Sequence, residues 1–180
     1  MIQDIKYVKI GEEKYFTGNS LAVFSTRNFS NYTSRLVQDL ILKFHQKYIF
    51  YFTYDFYLRT GIYRMKLPEF KKVIVVERKF LSEKMLKSYS GIVVIDEYSQ
   101  NKRINYLVKD LVCLNFVSKI LILESTKFSQ NLRILSEVAA SNSIDVYCLP
   151  GKIYDNSSFG TNRMIFDGAI PLFDFDLLSV

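Results

Sequence analysis

Short apolar runs alternate with amphipathic stretches along most of the chain. Leu21 to Phe24 (LAVF) is an apolar run that stops at Ser25-Thr26. From Ser34 to Phe44, the positions Leu36, Val37, Leu40, Ile41 and Phe44 recur at the spacing that buries one face of a helix. Tyr48 to Thr53 (YIFYFT) is a strand by β-propensity. Lys72 to Val76 (KVIVV), Gly91 to Ile95 (GIVVI) and Lys119 to Leu123 (KILIL) are continuous apolar runs of strand length. Arg103 to Phe116 reads as a helix with Ile104, Leu107, Val108, Leu111 and Val112 on one face. Ser129 to Ala140 reads as another, with Leu132, Leu135, Val138 and Ala139 inward. Asp145 to Leu149 (DVYCL) is a last core strand, closed by Pro150-Gly151. Beyond it, Gly160-Thr161 opens a single helical turn and Gly168 ends it.

Strands that are apolar throughout, rather than alternating, imply burial on both faces. Their interleaving with helices implies parallel βαβ units. The predicted architecture is therefore α/β, a Rossmann-like three-layer sandwich with a mostly parallel sheet. The 180 residues fit one domain, with no internal repeat, linker or low-complexity segment. In such sheets ligands bind beyond the carboxyl ends of the strands, where loops run into helix starts. The loops after Phe24, Thr53, Val76, Ile95, Leu123 and Leu149 are thus the places to look for chemistry.

Composition narrows what that chemistry can be. With 1 His and 2 Cys, a tetrahedral Cys/His zinc site would need every one of them plus a carboxylate. Cys113 and Cys148 sit in apolar stretches and read as buried thiols of a reducing compartment. His45 has no GxSxG-type nucleophile turn to serve. The most apolar stretch, Tyr48 to Leu58, is bounded by Lys47 and Arg59 and contains Asp55, so it does not read as a membrane span. The charged N-terminus lacks the apolar core of a signal peptide. The expectation is a soluble cytoplasmic protein with no metal, no cofactor and no membrane partner. The excess of 24 Lys+Arg over 18 Asp+Glu, a net charge of +6, is compatible with nucleic acid or nucleotide binding.

Two strand-end loops carry the candidates. Ser25-Thr26-Arg27-Asn28-Phe29-Ser30 offers hydroxyls and backbone amides at a helix start, with Arg27 as a bidentate cation for a phosphate. No GxGxxG is present, and N-capping by Ser30 beside a surface Arg27 is the other reading. After KILIL comes Glu124 to Leu132, again polar, with Lys127 at the turn and Ser129 placed as an N-cap. Asp96-Glu97-Tyr98 puts a carboxylate at a strand end, where it either orients a ribose or holds a neighbouring loop. Residues 48–57 hold seven aromatics, which either stack on bases or fill core; with no Trp for bulk, core is the favoured reading.

The stretch CLPGKIYDNSSFGTNRMIFDGAIPLF, preceded by ILILES and the Ser129 helix start, closely resembles the C-terminal half of the DNA-processing protein A family. That family's pattern runs VLVVEA, SGSL, an amphipathic helix, VFAVPG, then GTNxLIxDGA. Leu149-Pro150-Gly151 and Gly160 to Ala169 carry the specific match. Asp96-Glu97-Tyr98 resembles the family's SEYP, Ser25-Thr26-Arg27 with Ser30 its GSRxxS, and Tyr15 to Asn19 its LFxxGN. The resemblance spans about residues 14–178, is strong in the last third, and divides the single domain into a lead-in at 1–20 and a C-terminal segment at 150–180. It implies a Rossmann-like domain that binds single-stranded DNA, forms a homodimer, and loads a RecA-type recombinase during DNA uptake and recombination, without catalysis. It also implies that Arg27 lines a phosphate pocket with Ser25 and Thr26 beside it, and that Ser129 and Asn131 stand where the family has the serines of SGSL. The candidate DNA-binding set is Ser25, Thr26, Arg27, Ser30, Lys127, Ser129 and Asn131.

The sequence also departs from that pattern. Where the family has SGLARGID-AH, the chain reads TYDFYLRTGIY. Where it has FPxRNRIIAGLS, the chain reads YLVKDLVCLNFVS, so Asp110, Leu111 and Val112 replace the RNR residues. Ser25 and Gln130 stand in place of glycines, which limits how closely a phosphate can approach the backbone. Loss of the arginines removes on the order of two phosphate contacts, leaving Lys127, Lys102 and Arg103 as other candidates. The alternatives are a nucleotide-processing relative, resembling the cytokinin-activating phosphoribohydrolases, and a remnant that binds only a protein. Against the first, the loop ESTKFSQN lacks the glycines and the second acid of PGGxGTxxE.

Overall fold

The computed structural model describes residues 5–96 and 102–179, without the side chains of 102 and 103. Its strands are β1 (Tyr7–Gly11), β2 (Ser20–Phe24), β3 (Ile49–Thr53), β4 (Lys72–Glu77), β5 (Gly91–Ile95), β6 (Lys119–Ile122), β7 (Asp145–Cys148) and β8 (Ile170–Pro171). They form one sheet in the order β1-β5-β4-β3-β2-β6-β7-β8. Every neighbouring pair is parallel except the edge strand β1, which runs antiparallel to β5. The helices are α1 (Lys14–Thr17), α2 (Asn31–Phe44), α3 (Tyr54–Arg59), α4 (Glu83–Ser88), α5 (Lys102–Cys113), α6 (Gln130–Ser141) and α7 (Phe159–Phe166).

The apolar-throughout strands feed two cores, because successive side chains leave a strand on opposite faces. Leu21, Val23, Phe50, Phe52, Ile74 and Val76 enter one core with Val37, Leu40 and Ile41 of α2, Phe56 of α3 and Met85 of α4. Ala22, Phe24, Tyr51, Val73, Ile120 and Ile122 enter the other with Val108 and Val112 of α5, Leu135 of α6 and Met164 of α7. A strand buried on both sides has no position left for an alternating polar residue.

The aromatic run belongs to this interior. Tyr48, Phe50, Tyr51, Phe52, Phe56 and Tyr57 are buried, and Tyr54 is partly so. Phe50 stacks on Phe52 with ring centres 5.9 Å apart. The Tyr51 hydroxyl donates to Tyr15 O at 2.8 Å, and that of Tyr48 donates to Leu178 O. Both cysteines are free and buried, and burial pushes the Cys148 thiol up to about 12, so the thiols stay protonated and inert.

The main differences from the sequence reading are at element ends and edges. α2 starts three residues early because Ser30 caps it, its Oγ accepting from Thr33 N at 3.3 Å. α7 spans eight residues rather than a single turn, and Gly168 follows it at φ +112°. The exposed edge strand β1 and the short elements α1, α3, α4 and β8 were not predicted. α3 was hidden because its residues continue the aromatic run that reads as strand.

Candidate nucleic-acid interface

The strand order reverses at β2. From β2 the chain passes through α2 to β3, β4 and β5 on one side, then returns to lay β6, β7 and β8 on the other. Loops leaving β2 and β6 therefore diverge to opposite faces and open a crevice at the carboxyl ends, the usual ligand position in such sheets. Just before they part, Leu123 N donates to Phe24 O at 3.0 Å and Thr26 N to Glu124 O at 2.8 Å. The resulting cleft is lined by Ser25, Thr26, Arg27, Lys127, Ser129 and Asn131 among others. The groove continues along α6 and α7 as far as Asp145 and Ile170, about 2050 Å³ in all, so the strand-end crevice is one part of a longer open channel.

Ser30 lies outside this lining and is engaged internally. The buried carboxylate of Glu124, at the end of β6, accepts from Ser30 N at 3.1 Å, from the Ser30 hydroxyl, and from Thr33 Oγ1 at 2.7 Å. The start of α2 thus already holds an anion, supplied by the protein itself. A phosphate placed there would meet a buried negative charge. Phosphate chemistry is left to the other residues of the loop.

Arg27 is exposed, and its guanidinium sits 4.2 Å from the centre of the Tyr106 ring. Arg59, the last residue of α3, lies 5.3 Å over Phe29, and Lys127 lies 5.9 Å over Phe159. Each of these exposed cations is therefore seated on an aromatic ring that lines the same cleft. Arg59 was not among the predicted residues; its position directly after the strand-end aromatics was the available signal.

Lys109 also approaches Tyr106, at 4.4 Å, but its charge is spent. It is buried and pairs with Asp55 at 2.7 Å and Glu77 at 3.1 Å. Burial works to lower its ammonium, yet the two carboxylates outweigh this and hold it raised. Glu77 also binds Lys79 at 2.8 Å. Asp110, next along α5, keeps part of its surface in the cleft. The protein packed around it pushes its carboxyl up to about 7; Asp55 adds to this and Lys109 opposes it. A carboxyl thus stands where the resembled pattern has an arginine.

The β6–α6 loop is built by its own side chains. Thr126 N donates to Ser129 Oγ at 3.0 Å, the two hydroxyls lie 3.0 Å apart, and Phe128 N donates to Thr126 Oγ1 at 3.2 Å. Ser129 occupies the N-cap position, but its hydroxyl braces the loop and makes no bond to the amides of α6. This corrects the expectation of side-chain capping there, and the reason is competition: the Thr126 amide is nearer in the turn. Asn131 sits in the first turn of α6 and lines the cleft. Phe128 lies 84% exposed beside Lys127 and was passed over in the sequence.

Two buried hydroxyls, Ser25 Oγ and Ser125 Oγ, lie on the two lips of the crevice without a hydrogen-bond partner. Ser125 is otherwise clamped: its N donates to Ser157 O at 2.8 Å, and its carbonyl accepts from Gly160 N at 2.5 Å. Asn162 adds a reciprocal pair with Gly151, Nδ2 to O and N to Oδ1, both at 3.0 Å. The GTN segment therefore stitches α7 to the turn after β7. Asp96 is held by Arg78 at 2.5 Å, which keeps its carboxyl below the ordinary range. Asp96 thus pairs with a side chain from the segment after β4, where the loop-holding reading had it accepting backbone amides. Glu97 and Tyr98 lie outside the described residues, as do the side chains of Lys102 and Arg103.

No family model and no curated protein matches the sequence. Among solved structures, DNA processing protein A from Streptococcus pneumoniae matches with a TM-score of 0.74 at 16% identity, covering 99% of this chain and 69% of its own. The fold is that of DNA processing protein A. The DNA processing protein A from Helicobacter pylori, whose structure describes a single-stranded DNA binding mode, matches at 0.73 and 14% identity, covering 96% of this chain and 84% of its own. In this DNA processing protein A fold, no helix among the described residues is long and apolar enough to cross a membrane.

Proposed function

We propose that the chain is a single three-layer Rossmann-like module that captures single-stranded DNA in the switch-point cleft. It acts without catalysis, as a cytoplasmic homodimer, and presents the strand to a RecA-type recombinase in DNA uptake or recombination. The observation that carries this reading is the set of exposed cations Arg27, Arg59 and Lys127, each seated on a ring around one wide cleft. The fold shared with a protein that binds single-stranded DNA supports the choice of ligand. A guanidinium braced by Tyr106 presents its N–H fork to a phosphate with less freedom to lose.

Fluorescence anisotropy with labelled oligo-dT across a salt series tests this. Three phosphate contacts give a slope of log K against log salt of about −2, from ~0.7 per contact on single strands. Arg27→Ala should weaken binding and make that slope shallower by about 0.7. No binding at low salt, or a flat salt response, overturns the reading.

A further inference from the structure

The cleft contains an aromatic ring whose faces are unused. Of the rings lining it, Phe56 is buried, while Tyr106, Phe29 and Phe159 carry Arg27, Arg59 and Lys127. Phe128 is 84% exposed and has neither a ring partner nor a cation on it among the described residues. It does not hang on a slack loop. The Phe128 amide is held by Thr126 Oγ1, its carbonyl accepts from Gln130 N at 2.9 Å, and Ser129 Oγ and the Thr126 amide close the turn beneath it. The exposed Phe128, Tyr154, Phe166 and Phe173 differ in place: the other three do not line the cleft.

We propose that Phe128 is the platform on which one nucleobase of the bound strand stacks. This rests on the reading of the cleft as a nucleic-acid interface and deepens it. A large apolar ring held open to water in a rigid turn is matched to a flat apolar partner. Lys127 beside it and Arg27 and Arg59 across the cleft select a partner that is also polyanionic. An unpaired base on a sugar-phosphate backbone combines both properties, and stacking tolerates any base. A duplex does not offer it, because its bases are already stacked and paired. Phe128 is therefore the residue that makes the cleft prefer single strands, while the cations set the salt dependence.

Phe128→Ala should weaken oligo-dT binding roughly 5- to 150-fold and leave the salt slope unchanged. An abasic oligonucleotide of equal length should bind wild type and Phe128→Ala alike. The chain has no Trp, so Phe128→Trp introduces a single reporter; oligo-dT should quench its emission and the abasic strand should not. Thermal melts of both variants should match wild type, since Phe128 is 84% exposed and belongs to neither core. If wild type binds oligo-dT with the expected salt slope and Phe128→Ala binds equally well, the platform is refuted and the cleft reading stands. Equal weakening on abasic DNA also refutes it. If wild type binds no oligonucleotide, both fall together.

Discussion

Glu124 joins the two halves of the cleft, and replacing it should cost more than any other single change at the site. In Glu124→Ala the buried carboxylate disappears and three donors lose their acceptor: Ser30 N, the Ser30 hydroxyl and Thr33 Oγ1. Thr33 is fully buried, so solvent does not replace the bond without entering the core. Hydrogen bonds to a charged group contribute ~1.5–3 kcal/mol each. Because the three share one carboxylate they do not add, and a total of about 3–5 kcal/mol is expected. Glu124→Gln keeps the shape and one acceptor oxygen but turns an NH2 toward a donor, and about 1–3 kcal/mol is expected. Urea denaturation measures both, with the free energy taken at constant m so that a change of midpoint is a change of stability. An alanine variant within ~0.5 kcal/mol of wild type, or a glutamine variant worse than alanine, would refute the reasoning.

Asp110 and Gly160 yield further expectations. Burial raises the Asp110 carboxyl from 3.8 to about 7. A raised carboxyl favours the protonated protein, so its contribution is fully present below pH 3.8 and is lost as pH rises through 7. Asp110→Asn should therefore be more stable than wild type at pH 8 by on the order of 2–3 kcal/mol, with the gap closing toward pH 4; urea titrations showing the same gap at both pH values would contradict this. At Gly160 an added Cβ would meet Ser125 O at 2.7 Å, as well as the Ser125 side chain. Gly160→Ala should cost about 1–3 kcal/mol by forcing α7 away from β6, which a thermal melt reads as a lowered midpoint.

The central elements were legible because burial on both faces leaves one kind of sequence. GIVVI is apolar throughout and KILIL is polar only at Lys119, its first residue, and they stand as β5 and β6 with boundaries within a residue of those expected. Edges were not legible: β1 (YVKIG) is exposed at four of its five positions and buries none, so its apolar residues follow no one-face pattern. At the site, six of the seven expected residues line one cleft, since strand-end loops are set by topology. What local spacing could not reveal is long-range pairing. Nothing near Ser30 in the chain announces that Glu124 takes its amide and hydroxyl, and nothing near Lys109 announces Asp55 and Glu77. The segment that carried the resemblance turns out to be scaffold: Gly151 and Asn162 bond to each other, and Gly160 gives Ser125 room. Its presence speaks for the fold, while the exposed cations around the cleft, Arg27, Arg59 and Lys127, are scattered through the chain.

The reversal of strand order at β2 also has a temporal meaning. Leu21 lies beside Lys119 in the sheet, though most of the chain separates them. Closing so long a loop is slow and comes after local helices and the β3–β4–β5 side have somewhere to dock. On a ribosome adding about 5–20 residues per second, the β2 lip waits roughly 5–20 seconds for its counterpart to emerge. Until then Arg27, the one cation on the first loop, faces no opposite wall, and a polyanion that reached it early would find charge without a channel.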